Sequence, residues 1–237
     1  MADDTITLVQ CPYCLNKFHK DELTIDHVIA RSFFPVSSTS EAKWKVRACG
    51  PCNNRKSKLE RDVLGRLALC LDPNDPALAD IVTKAQRSMD PRSATTAREF
   101  MHRFNRRAAM RRSVRDIWSP DEPGVLPYFT SNFAEGSRTG ILVPAELDVL
   151  IEYWVRGIHF CEYGQIIPAD YQVSVLHIDD ETRKNAFAHV IERAKVLRKG
   201  QGIEVKLFHA KDTERFATIY GFDVWWKLRC VAVVEQV

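Results

Sequence analysis

At 237 residues, with 45% hydrophobic and 27% charged side chains, the chain has the composition of an ordinary globular protein and room for one large domain or two small ones. Its 34 basic and 31 acidic residues leave a formal charge of only +3, so bulk charge says little about a polyanionic partner and the distribution matters more. No apolar run approaches the roughly 18 to 20 residues that span a bilayer, and the acidic start Met1-Ala2-Asp3-Asp4 lacks a signal-peptide core, so a cytoplasmic protein without membrane contact is expected.

In chain order, the first signal is Cys11-Pro12-Tyr13-Cys14, and its partner is Cys49-Gly50-Pro51-Cys52. Four thiolates can hold one structural zinc in a closed tetrahedral site. Seven cysteines, an odd count containing two Cys-x-x-Cys pairs, favour metal over disulfides. Cys70, Cys161 and Cys230 stand alone in apolar surroundings and read as buried thiols. Between the knuckles, residues 23–28 read as a strand carrying Asp26-His27, 33–40 as a loop, and 42–48 as a half-exposed strand. Residues 53–69 read as a helix with Leu59, Val63, Leu67 and Cys70 on one face and Lys56, Lys58 and Arg61 off it.

Residues 72–76 are a break, and 77–89 and 94–118 read as two helices. The second carries Arg98, Arg103, Arg106, Arg107, Arg111, Arg112 and Arg115 beside an apolar stripe of Phe100, Met101, Phe104 and Ala108. After a linker at 119–124, Pro144 opens a helix that Gly157 is placed to end. Residues 171–177 alternate as a strand, a helix capped by Asp179 or Asp180 follows with Gly200 after its end, and 203–209, 216–226 and 228–234 read as antiparallel strands. The aromatics Tyr153, Trp154, Phe160, Tyr163, Phe222, Trp225 and Trp226 are expected in the core, and His159, His177, His189 and His209 in structural roles. The expected fold class is α+β: a zinc-stabilised module over 1–70, a helical Arg-rich connection over 71–120, and a small α+β domain with an antiparallel sheet over 121–237.

The knuckle module holds an acid, a base and an amide. Hydrolysing a phosphodiester requires a deprotonated water, stabilised charge and a departing oxygen, and a divalent ion can supply the last two. Hard cations take oxygen ligands, which Asp26 and Asn53 offer, with the neighbouring Asn54 as the alternative amide. His27 alternates to the other side of the strand, where a neutral imidazole is a suitable general base.

Asp26-His27 together with Cys52-Asn53-x-x-Lys56 closely resembles the HNH endonucleases and their ββα-metal fold. The string from Ile25 to Phe33 is also similar to the corresponding strand in the HNH domain of RNA-guided CRISPR nucleases. The resemblance covers about residues 9–60. It implies a metal-dependent endonuclease, with DNA as the expected polymer and a 5′-phosphate and 3′-hydroxyl as products. His27 would be the general base, Asp26 and Asn53 would hold a catalytic Mg²⁺ or Mn²⁺, Cys11, Cys14, Cys49 and Cys52 would hold structural zinc, and Lys56 would meet a phosphate. Arg103, Arg106 and Arg107 are expected to add sequence-independent contacts to the nucleic-acid backbone. The chain departs from the family at Trp44, where the middle Asn usually stands. Two further expectations are a zinc-dependent nucleic-acid-binding module without hydrolysis, and an anti-phage defence effector with a partner protein or a second copy; the chain has no Walker-type loop of its own.

Overall fold

The computed structural model describes residues 8–35, 44–119, 122, 124–128, 135–136, 138–178, 185, 188, 192–200, 202–211 and 216–237. The first knuckle lies in a hairpin of β1 (Leu8–Gln10) and β2 (Lys17–His19), strands too short for periodicity to reveal. Main-chain bonds from Leu15 to Cys11 and from Cys11 to Asn16, both 2.9 Å, close its turn. β3 (Leu23–His27) and β4 (Lys45–Cys49) pair antiparallel, with Asp26 opposite Val46 and His27 opposite Lys45. α1 (Gly50–Leu69) begins at Gly50 rather than at residue 53, because Pro51 presets the helical φ in its first turn. The second knuckle therefore straddles the end of β4 and the start of α1, and β3, β4 and α1 make the expected ββα unit.

The buried stripe of α1 includes Lys56, Glu60, Val63 and Leu67, at helical spacings of four and three. Lys56 was expected off this face and instead lies on it. α2 (Ala79–Met89) and α3 (Ala97–Ser113) pack on α1, and Thr96 caps α3 by accepting from the Glu99 N–H at 3.1 Å. α3 stops at Ser113, not at residue 118, because the chain turns into β5 (Val114–Asp116) of a small antiparallel sheet. β6 (Val125–Pro127) and β7 (Thr139–Leu142) complete it in the order β5-β7-β6.

α4 (Leu147–Tyr163) runs straight through Gly157 and ends at Gly164, whose φ of 66° makes the left-handed turn that closes a helix. Gly157 has a packing reason instead. A Cβ there would lie 2.7 Å from both methyl carbons of Val28 and 3.2 Å from the Tyr13 hydroxyl. Val28 is fully buried and β-branched, so it has nowhere to go. Gly157→Ala should therefore cost about 1–3 kcal/mol by overpacking, outweighing the roughly 1 kcal/mol that alanine adds to helix propensity. Urea melts of the two proteins check this, and a variant as stable as the parent would sink it.

The last sheet is antiparallel, in the order β8-β12-β11-β10-β9, from β8 (Tyr171–His177), β9 (Lys195–Gly200), β10 (Ile203–Lys211), β11 (Phe216–Val224) and β12 (Leu228–Gln236). β9 occupies the end of the helix expected after residue 179; most of the rest of that expectation, His189 included, lies outside the described residues. α4 sits between this sheet and the ββα unit, touching β8 and β12 on one side and α1 and β4 on the other. One aromatic cluster joins the three. Phe33 meets Trp154 edge-on at 5.5 Å and stacks on Trp225 at 5.7 Å, while Trp154 leans on Phe222 at 5.9 Å. Tyr153, Trp154, Phe222 and Trp225 are buried as expected, whereas Tyr163 and Trp226 are exposed. Among the described residues no helix is long and apolar enough to cross a membrane.

Candidate functional site

The four knuckle sulfurs lie within 4.8 Å of one another. Cys14 Sγ and Cys49 Sγ are 3.8 Å apart. That is the edge of a tetrahedron with metal–sulfur bonds of about 2.3 Å, the length zinc takes with thiolate. Cys11 and Cys49 are almost wholly buried, and the Cys49 N–H points at Cys11 Sγ at 3.5 Å. Burial acts to raise the Cys11 thiol pKa, but main-chain donors at Cys49, Cys14 and Tyr13 outweigh it and pull the thiol below its ordinary value. Four soft donors gathered this closely fit structural zinc.

Asp26 sits in a different environment from the one expected. The residue is only 7% exposed. The Tyr13 hydroxyl donates to Oδ2 at 2.7 Å, and Lys56 Nζ lies 3.1 Å from Oδ1 and 3.0 Å from Oδ2. Lys56 is itself 0% exposed, and it also reaches Glu60 Oε1 at 3.1 Å and the His27 carbonyl at 2.7 Å. Glu60 accepts in turn from the Ala30 N–H at 2.9 Å and from Trp154 Nε1 at 3.3 Å. Burial pushes the Glu60 carboxyl above its ordinary value despite the pull of Lys56, and burial with the Asp26 charge pushes the Tyr13 hydroxyl up, so it stays a donor. One buried ammonium thus serves two buried carboxylates.

This geometry corrects the placement of Lys56. It does not project to a phosphate, because its charge neutralises the interior. Tyr13 and Lys56 engage both Asp26 oxygens, so a hard divalent cation at this carboxylate would have to compete with the buried ammonium. Asn53 lies one helical turn before Lys56 and meets a different residue of β3, its Nδ2 donating to Thr24 Oγ1 at 3.0 Å. Thr24 and Asp26 share a strand face, but the contacts pair Asn53 with the first and Lys56 with the second.

His27, on the other side of β3, is half-buried at the strand end. Arg31 Nε donates to its Nε2 at 3.0 Å. A guanidinium has no lone pair to give, so the imidazole offers Nε2 as an acceptor here. Arg31, Tyr13 and Glu60 were not singled out from the sequence. Arg31 falls four residues after His27 and Glu60 four after Lys56, spacings that carry no signal until the partners are known.

The three arginines separate. Arg103 is committed to protein: Nη1 donates to the carbonyls of Arg87 at 2.8 Å and Asp90 at 3.3 Å and to Ser93, while Nη2 pairs with Glu99 at 2.5 Å. It fastens α3 to the end of α2 and is spent on that, which corrects its expected backbone contact. Arg106 is half-buried, and burial together with the charges of Arg61 and Arg103 lowers its pKa. Arg107 alone of the three is exposed, on the wall of a cleft between α2, α3 and the small sheet.

Residues 11–59 match the sequence model of the HNH endonuclease family. The segment that carries the cysteine cluster and the Asp–His pair is thus an HNH endonuclease domain, which marks the protein as nuclease-type or nucleic-acid-binding. No curated protein and no solved structure matches the chain significantly. At Trp44, where the family's middle Asn usually stands, the backbone still closes the strand pair, since the Val28 N–H donates to the Trp44 carbonyl at 3.1 Å. The indole does something else. Its Nε1 donates to Glu162 at 2.9 Å on α4, and its ring lies under Arg198 of β9 at 5.5 Å, which also covers Phe34 at 4.7 Å.

Proposed function

We propose that the protein is an endonuclease that hydrolyses phosphodiester bonds of nucleic acid, DNA first among them, at the outer face of β3 with His27 as general base. The observation that carries this reading is His27 itself: half-buried within the HNH segment, with Nε2 held as an acceptor 3.0 Å from the Arg31 guanidinium. An incoming phosphate competes for Arg31. When the guanidinium turns to a phosphate oxygen, Nε2 is released to take a proton from water. The water oxygen bonds to phosphorus in line, the bond from phosphorus to the 3′ oxygen breaks, and that oxygen is protonated from solvent. Asp26 serves as a positioning residue: Lys56 binds both its carboxylate and the His27 carbonyl, which fixes the main chain behind the imidazole.

The test is nicking of supercoiled plasmid in buffer containing Mg²⁺ or Mn²⁺, with His27→Ala as the comparison. General-base removal should slow cleavage by about 10²–10⁴-fold, with zinc content and melting unchanged. Equal activity in both proteins would rule out His27 as the base. A second reading, a zinc module that binds nucleic acid without cutting it, draws on the occupied Asp26 carboxylate. Retarded but uncut plasmid with both proteins would favour it.

A further inference from the structure

α3 presents Phe100, Phe104, Arg107 and Arg111 at spacings of four, three and four, which place all four on one helix face. Phe100 is 45% and Phe104 52% exposed, and their rings lie 6.4 Å apart within 12° of parallel. Expected to give the helix an apolar stripe, these phenylalanines instead face outward. Arg107 and Arg111 continue the stripe into a cleft of about 730 Å³, where Arg87 and Arg92 join them from the α2 side. The cleft floor is apolar, with Met89 and Met110, and Tyr128 stands on its wall. The one acid among its described lining residues, Asp90, already pairs with Arg92 at 3.1 Å. Four guanidinium groups against one matched carboxylate call for a polyanion. Adjacent exposed aromatic faces call for flat rings that are not sealed in a duplex. Leu69, at the cleft, lies thirteen residues beyond Lys56 on α1, roughly 20 Å along the helix axis.

We propose that this face of α3 and the adjoining cleft form a binding track for single-stranded polynucleotide, with bases on Phe100, Phe104 and Tyr128 and phosphates on Arg87, Arg92, Arg107 and Arg111. The proposal rests on the nucleic-acid reading above and deepens it by naming the form of the polymer and a site separate from His27. A duplex presents phosphates but hides its base faces, so the aromatic half of the stripe discriminates strandedness and the arginine half supplies affinity.

The test is fluorescence anisotropy on the full chain, without added divalent cation, using labelled dT20, rU20 and a 20-bp duplex. Wild type should bind dT20 at least tenfold more tightly than the duplex. Phe100→Ala/Phe104→Ala should lose at least tenfold on the single strand and little on the duplex. Arg107→Gln/Arg111→Gln should flatten the slope of log affinity against log salt by about 1.4, two phosphate contacts at about 0.7 each. The four substituted side chains are all exposed, and circular dichroism with zinc content verifies the fold. A loss shared by rU20 supports polynucleotide in general, and a loss confined to one probe names DNA or RNA. Unchanged dT20 affinity in the aromatic variant, or a wild type that prefers duplex, overturns the proposal and leaves the face to a protein. The two readings fail separately: His27→Ala should bind dT20 like wild type, so silent plasmid assays with intact binding count against the nuclease and not against the track.

Discussion

Lys56→Met should destabilise the fold by about 3–5 kcal/mol, the range measured when one partner of a buried ion pair is removed. Against a total of about 5–15 kcal/mol for a typical domain, this is a large fraction. The size follows from what is left behind. Asp26 and Glu60 are 7% and 4% exposed, and without the ammonium two nearly buried carboxylates are left with no countercharge between them. Tyr13, Trp154 and the Ala30 N–H still donate one bond each, which does not replace a charge. Adding Asp26→Asn and Glu60→Gln to the methionine variant should recover part of the loss, because neutral amides do not carry the ionic desolvation cost. Urea unfolding of wild type, Lys56→Met, the Asp26→Asn/Glu60→Gln double variant and the triple variant, read as a cycle, measures this coupling. A single variant within about 1 kcal/mol of wild type would show that Lys56 is solvated and that the network is not as described.

Removing the metal is expected to have a larger effect. Zinc bound by four thiolates contributes on the order of 10 kcal/mol of apparent free energy to small folds that depend on it. The protein should carry one zinc per chain, and Cys49→Ser should lose it together with cooperative melting. Tyr13 sits between Cys11 and Cys14 and holds Asp26, so loss of the knuckle also removes a donor from the buried carboxylate. Metal analysis with tryptophan fluorescence reads both effects, because Trp154 donates to Glu60 in the same network. A Cys49→Ser protein that keeps one zinc and melts like wild type would contradict the assignment.

How much could be read in advance depended on whether a constraint was local. Cysteine spacing is local, so the four cysteines that the fold gathers within 4.8 Å of one another were legible. So were the C-terminal strands: residues 171–177 are β8, and the strands expected at 203–209, 216–226 and 228–234 are found, with slightly different ends, as β10, β11 and β12. Lys56 was misplaced because helical periodicity assigns charge to the outside by default. The carboxylate that draws it in, Asp26, is thirty residues upstream, and only tertiary structure brings the two together. Arg103 failed similarly: its partners are main-chain carbonyls at Arg87 and Asp90, which no side-chain pattern reports. Gly157 looked like a helix stop until Val28 appeared against it. The short strand β5 lies within a stretch read as a helix end, and β6 and β7, of three and four residues, lie between 125 and 143, where no element is expected.

The packing of α4 limits how this domain can be borrowed. Val28 lies against Gly157, Trp154 donates into the Lys56 network, and the Trp44 indole is held by Glu162. A cassette cut after Leu69 would leave Phe33, Val28 and Glu60 facing water where a helix had been. The segment that matches the family is therefore not a portable part in this chain. A chimera meant to transplant it would have to carry α4 as well, or rebuild the wall that α4 supplies.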